Sequence, residues 1–100
     1  MNFYSLCHQY LNNLAKQIED ADNSCLCEVD YADGILNITI SATQQTFVIN
    51  RNAGNEKIWY SSPISGPDYF SFNKNQNAWL NQQNLNLTDK IFSELNICKI

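Results

Sequence analysis

An α+β fold is predicted by two periodicities and their order along the 100 residues. Apolar residues recur every three or four positions over the first twenty residues, then every second position from Cys25 to Leu80. A second helical stripe closes the chain. Helix, meandering strands, helix describes an α-β sandwich: one antiparallel sheet of five or six strands with both helices packed on one face. The length suits a single domain spanning residues 1–100, and no repeat or linker interrupts it.

Phe3, Leu6, Cys7, Tyr10, Leu11, Leu14, Ile18 and Ala21 form the stripe of an amphipathic helix of about five turns. Cys27, Val29 and Tyr31 then alternate with Leu26, Glu28 and Asp30, and Ala32-Asp33-Gly34 provides a hairpin turn. Leu36, Ile38 and Ile40 mark a second strand, Thr46 to Asn50 a third, and Lys57 to Ser61 a fourth, beyond the turn Asn52–Asn55. Two prolines make residues 62–67 a rigid loop. Tyr69 to Phe72 and Ala78 to Leu80 read as short closing strands, with Trp79 in the core. Thr88 is the expected cap of a last helix carrying Ile91, Phe92 and Leu95.

Composition narrows the function. Three Gly and two Pro exclude disordered and collagen-like chains, and no apolar run approaches the roughly 20 residues of a membrane span. Neither a secretory signal nor an Arg-rich transit peptide is legible in Met1–Ser5. Net charge is −4, and it is uneven: six acids and no base lie between Gln17 and Asn50, against six bases and four acids elsewhere. Nucleic acid, which draws on clustered Lys and Arg, is a poor match, and a cation or a basic protein surface is a better one. Cys7, Cys25, Cys27 and Cys98 lack zinc-site spacing and are read as reduced and mostly structural, with Cys25 and Cys27 on one face of a strand. His8 is read as a partly exposed surface histidine. No phosphate loop, nucleophile elbow or histidine pair points to catalysis.

The acids are the main chemical signal. Glu19, Asp20 and Asp22 fall at the carboxyl end of the first helix, where the dipole disfavours negative charge by about 0.3–1 kcal/mol each. Glu28 and Asp30 share the outward face of the next strand. Such crowding suits a hard or borderline cation held through carboxylate oxygen, shallowly and weakly. The competing reading is a solvated acidic face that serves solubility. Trp59 is a second signal: with Ile58 and Tyr60 inward, period two places it on the open sheet face near Asn50 and Lys57, as a protein-contact residue.

The run Ile58-Trp59-Tyr60-Ser61-Ser62-Pro63-Ile64-Ser65-Gly66-Pro67 resembles the IWLSSPxSGP signature of the frataxin family, whose bacterial branch is called CyaY. Gly34-Ile35-Leu36, Phe47-Val48-Ile49-Asn50-Arg51, Asn77-Ala78-Trp79 and Leu87-Thr88-Asp89 are similar to further family segments, so the resemblance spans nearly the whole chain. It implies the sandwich argued above, and an iron-binding accessory role (iron donor or regulator) in iron–sulfur cluster assembly. By position it implies weak Fe2+/Fe3+ binding on a ridge of Glu19, Asp20, Asp22, Glu28 and Asp30. A cysteine desulfurase and a scaffold protein are the implied partners, with Asn50, Asn52 and Trp59 on the partner surface. Mostly monomeric protein with iron-dependent oligomers is implied, in a bacterial cytoplasm or, alternatively, a mitochondrial matrix. Ferroxidase-type oxidation of Fe2+ and a metal-independent interaction module are the alternative functions. Two departures stand out: earlier ridge positions hold Ser5, Leu6, His8, Gln9, Ala15 and Lys16, with His8 a stand-in for one carboxylate, and Asp68-Tyr69 replaces the Lys-Arg of eukaryotic members.

Overall fold

A computed structural model describes residues 2–95. The elements are α1 (Phe3–Ala21), β1 (Cys27–Ala32), β2 (Ile35–Ile40), β3 (Thr46–Asn52), β4 (Lys57–Ser62), β5 (Gly66–Asn73), β6 (Ala78–Leu80) and α2 (Leu87–Leu95). The six strands pair antiparallel in sequence order. The predicted α+β architecture is therefore the observed one.

The apolar stripe of α1 is the reason that helix docks. Cys7, Leu11, Leu14, Ala15 and Ile18 are buried, and Phe3, Leu6, Tyr10 and Ala21 pack around them. Asn2 starts the helix, its side-chain oxygen accepting from the Ser5 N–H at 2.8 Å. Leu36, Ile38, Phe47, Ile49, Ile58, Tyr60 and Phe70 fill the inward sheet face, and Trp79 is buried as expected. Alternation leaves Asn37, Val48, Asn50, Trp59 and Tyr69 on the opposite, open face.

Residues Asp33 and Gly34 make the two-residue β1–β2 turn, both at positive φ (52° and 76°), the twist a primed hairpin requires. Gly34 has a second duty. Arg51 donates its N–H to the Gly34 carbonyl at 2.8 Å, and its guanidinium lies 4.1 Å over the Tyr4 ring. A methyl on Gly34 would sit 2.6 Å from the guanidinium carbon. Gly34→Ala is therefore expected to cost about 1–3 kcal/mol from strain and displacement of Arg51, measured by urea unfolding.

Several boundaries differ from the prediction. Strand β3 runs two residues further, to Asn52, and β5 begins inside the expected 62–67 loop. That loop contracts to a tight turn because the Ser62 hydroxyl accepts from the Ile64 and Ser65 N–H groups. Cys25 lies outside β1 at φ 55° and is exposed, so it does not share a strand face with half-buried Cys27. Cys98 falls outside the described residues. Asn86, in place of Thr88, caps α2: its side-chain oxygen accepts from the Thr88 N–H at 2.8 Å. The Thr88 hydroxyl is held by the Tyr10 hydroxyl at 2.7 Å, tying the two helices together.

The outer edge of β5 is blunted. β6 pairs only with Ser71–Asn73, leaving Gly66–Phe70 without a second strand among the described residues. Pro67 offers no donor there, and the Tyr69 N–H is taken by Asp68 Oδ1 at 2.8 Å. The other carboxylate oxygen of Asp68 accepts from Asn81 Nδ2 at 2.9 Å, which anchors the loop after β6.

Candidate functional site

The acidic residues of α1, the α1–β1 connection and β1 divide into three environments. Glu19 and Asp20 are exposed on the last turn of α1, which carries no basic residue. Glu28 and Asp30 are exposed on the open face of β1, the edge strand, while Cys27, Val29 and Tyr31 turn toward α1. None of these four carboxylates forms an ion pair among the described residues, where the salt bridges are those of Lys90 with Asp68 and with Glu94.

Asp22 is different, and the expectation that it joins the ridge is corrected. It is the C-cap of α1 and 8% exposed. Its two carboxylate oxygens accept from the Leu26 and Cys27 N–H groups, each at 2.8 Å, while its own N–H donates to the Ile18 carbonyl. The side chain is a bracket joining the end of α1 to the start of β1, with each oxygen already holding one backbone donor.

His8 stands apart from the acids at the helix end. It lies eleven residues before Glu19, about 16 Å along the helix axis, and its Nδ1 is 2.9 Å from the Tyr31 hydroxyl. Burial pushes the Cys7 thiol up to about 12, and burial followed by the nearby Asp22 charge raises Cys27. Among the described residues no three His, Cys, Asp or Glu side chains form a group that could enclose an ion. What the fold provides is an open strip of four solvated carboxylates, two on the last turn of α1 and two on the open face of β1.

The second set lies on the open sheet face. Asn50 is directly opposite Trp59, and Asn52 opposite Lys57, across the β3–β4 ladder. All three residues singled out for partner contact, Asn50, Asn52 and Trp59, therefore share one face. Trp59 does not lie flat on its neighbour: it meets Tyr69 of β5 edge-on, with ring centroids 4.8 Å apart at 60°. Tyr69 had signalled only a departure from a family pattern, and its period-two partnership with Pro67 and Ser71 was the cue that it shares this face. A groove of about 520 Å³ adjoins the pair, lined by Lys57, Asp68, Asn81 and Gln82.

A family model of the frataxin-like domain matches residues 1–97. The chain belongs to the frataxin family. Mitochondrial frataxin of Arabidopsis thaliana is 35% identical over 81 residues, covering 78% of this chain and 43% of that protein. Mitochondrial frataxin of Dictyostelium discoideum is 38% identical over 74 residues, covering 72% and 38%. The chain thus spans less than half the length of these two frataxins. Among solved structures, trimeric frataxin of Saccharomyces cerevisiae complexed with ferrous iron superposes with a TM-score of 0.75 at 30% identity, covering 91% of this chain and 82% of that one. The frataxin of Psychromonas ingrahamii shares the fold, with a TM-score of 0.70 at 16% identity and coverage of 98% and 95%.

Proposed function

We propose that this frataxin-family chain is a non-enzymatic iron-binding accessory protein of iron–sulfur cluster assembly. The observation carrying the proposal is the strip of Glu19, Asp20, Glu28 and Asp30, exposed and without cationic partners among the described residues, with Glu19 and Asp20 at a helix end that already repels negative charge. A visiting cation offsets that repulsion. Solvated, non-converging carboxylates bind Fe2+ or Fe3+ as hard oxygen donors, weakly and with rapid exchange, which suits delivery more than storage. The ferrous complex of the yeast relative supports iron as the cation, and its trimeric state supports iron-dependent assembly.

The same strip attracts a basic surface on a cysteine desulfurase, while Asn50, Asn52 and Trp59 dock a scaffold protein from the open face. The mitochondrial relatives support a matrix location over a bacterial cytoplasm. Among the described residues, no helix is long and apolar enough to cross a membrane.

The division of the acids by the edge strand weighs against a ferroxidase, which needs ligands gathered on one ion. It favours, as a second reading, acids that act only in electrostatic docking. Anaerobic titration with Fe2+, followed by backbone amide signals, is expected to perturb residues 19–20 and 28–30 selectively. Uniform or absent perturbation there would refute iron binding on the strip. In the docking-only case, a Glu19→Ala/Asp20→Ala variant loses desulfurase affinity equally with and without iron.

A further inference from the structure

The open face carries three features that point to the chemistry of its partner. Trp59 and Tyr69 form an edge-on aromatic pair on this face, with Tyr69 39% exposed. Asn50 Oδ1, on the residue directly opposite Trp59, is a buried side-chain acceptor without a hydrogen-bond partner. An orphaned acceptor beside aromatic rings lacks one thing, a donor. Finally, Glu28 and Asp30 lie on this same face, and the only base on it from β1 to β5 is Lys57, because Arg51 points to the helix side and covers Tyr4.

We propose that this face receives an arginine side chain of the docked protein, with Tyr69 as the residue that sets this preference. The proposal rests on the reading that the open face docks a scaffold protein, and it specifies what that surface must present. A guanidinium is flat and weakly hydrated, stacks on aromatic rings, and donates in its own plane. Rotation of the Trp59 and Asn50 side chains admits it between ring and carboxamide, where it satisfies Asn50 Oδ1. Lys57, two residues from Trp59 on the same face, opposes the visitor, so its charge acts as a brake on affinity.

The test is binding of the iron–sulfur scaffold protein to the wild type and to three variants, by calorimetry at fixed ionic strength, with circular dichroism confirming the fold of each. Lys57→Glu is expected to tighten binding about fivefold, since it removes a like charge and adds an attractive one. Tyr69→Arg is expected to weaken it at least about tenfold, and Tyr69→Phe, which keeps the ring, to leave it within about twofold. If Lys57→Glu weakens binding, or Tyr69→Arg binds like the wild type, the arginine receptor is refuted and scaffold docking stands. If the wild type does not bind the scaffold at all, the docking reading falls, and the receptor with it. Lys57 is at the rim and outside the core, so its variant remains informative even if Tyr69→Arg fails to fold.

Discussion

Asp22→Ala is expected to lower stability by about 3 kcal/mol, the largest single effect of any acidic residue in the chain. Both oxygens of a nearly buried carboxylate bond backbone N–H groups at 2.8 Å, those of Leu26 and Cys27. Hydrogen bonds to a charged acceptor contribute about 1.5–3 kcal/mol each, and their loss leaves two donors of the α1–β1 connection without a protein partner. Partial access of water to those donors brings the sum down to the stated figure. For a domain of this length the melting temperature should fall by about 12–20 °C. Asp22→Asn retains one acceptor but turns an amino group toward a donor, so it should recover less than half of the loss. The contrast is with Glu19→Ala and Asp20→Ala, both exposed: each should leave stability within about 0.5 kcal/mol or raise it slightly by relieving the helix end. Thermal melts of the three single variants check that, of Glu19, Asp20 and Asp22, only Asp22 supports the fold.

The second large effect concerns α2. Tyr60, fully buried on β4, donates its hydroxyl to Glu94 Oε1 at 2.6 Å, and Lys90 approaches Glu94 at 3.7 Å and Asp68 at 3.9 Å. Burial alone would push the Glu94 carboxyl up. The hydrogen bonds from Tyr60, Ser62 and Ser65, together with the Lys90 charge, outweigh it and hold the group below its ordinary value. Burial likewise raises Tyr60, whose hydroxyl remains a donor at neutral pH. A depressed carboxylate contributes stability that is present above its unfolded value, near 4.3, and is lost as pH falls through the folded value. The wild type should therefore lose stability in the acid range below about pH 4, and Glu94→Gln should flatten that part of the profile. Glu94→Ala leaves the buried Tyr60 hydroxyl unpaired and should cost about 2–3 kcal/mol at pH 7. Urea midpoints measured from pH 3 to 7 check both statements.

Most of the fold was legible because its determinants are local and periodic. The stripe from Phe3 to Ala21 admits one helix, and Asp33-Gly34 between alternating strands admits one kind of turn. The predicted inward residues of β2, β3 and β4 are buried, apart from half-buried Ile40, because a strand slipped by one residue would present every one of them to water. What escaped depends on partners distant in sequence. Thr88 has the chemistry of a cap, but its hydroxyl is bonded to Tyr10, 78 positions away, and the spacing of Asn86 before Asp89 was the overlooked cue. Asp22 carries the same charge as its neighbours, and only the return of the chain at residues 26 and 27 removes it from the surface. The candidate site was legible in part: helix end and strand alternation place Glu19, Asp20, Glu28 and Asp30 correctly. Charge counting found the acids, whereas the sheet edge that separates Glu19 and Asp20 from Glu28 and Asp30 exists only once β1 is in place.

The protected border at Pro67–Tyr69 has a bearing on how copies of this chain assemble. Backbone-to-backbone growth, in which one subunit extends the sheet of the next, is blocked on that side by a missing donor and an occupied one. On the opposite border, two copies of β1 would bring Glu28 and Asp30 into mutual repulsion. Any assembly of native copies is then left to side-chain contacts, the only ones these two borders permit.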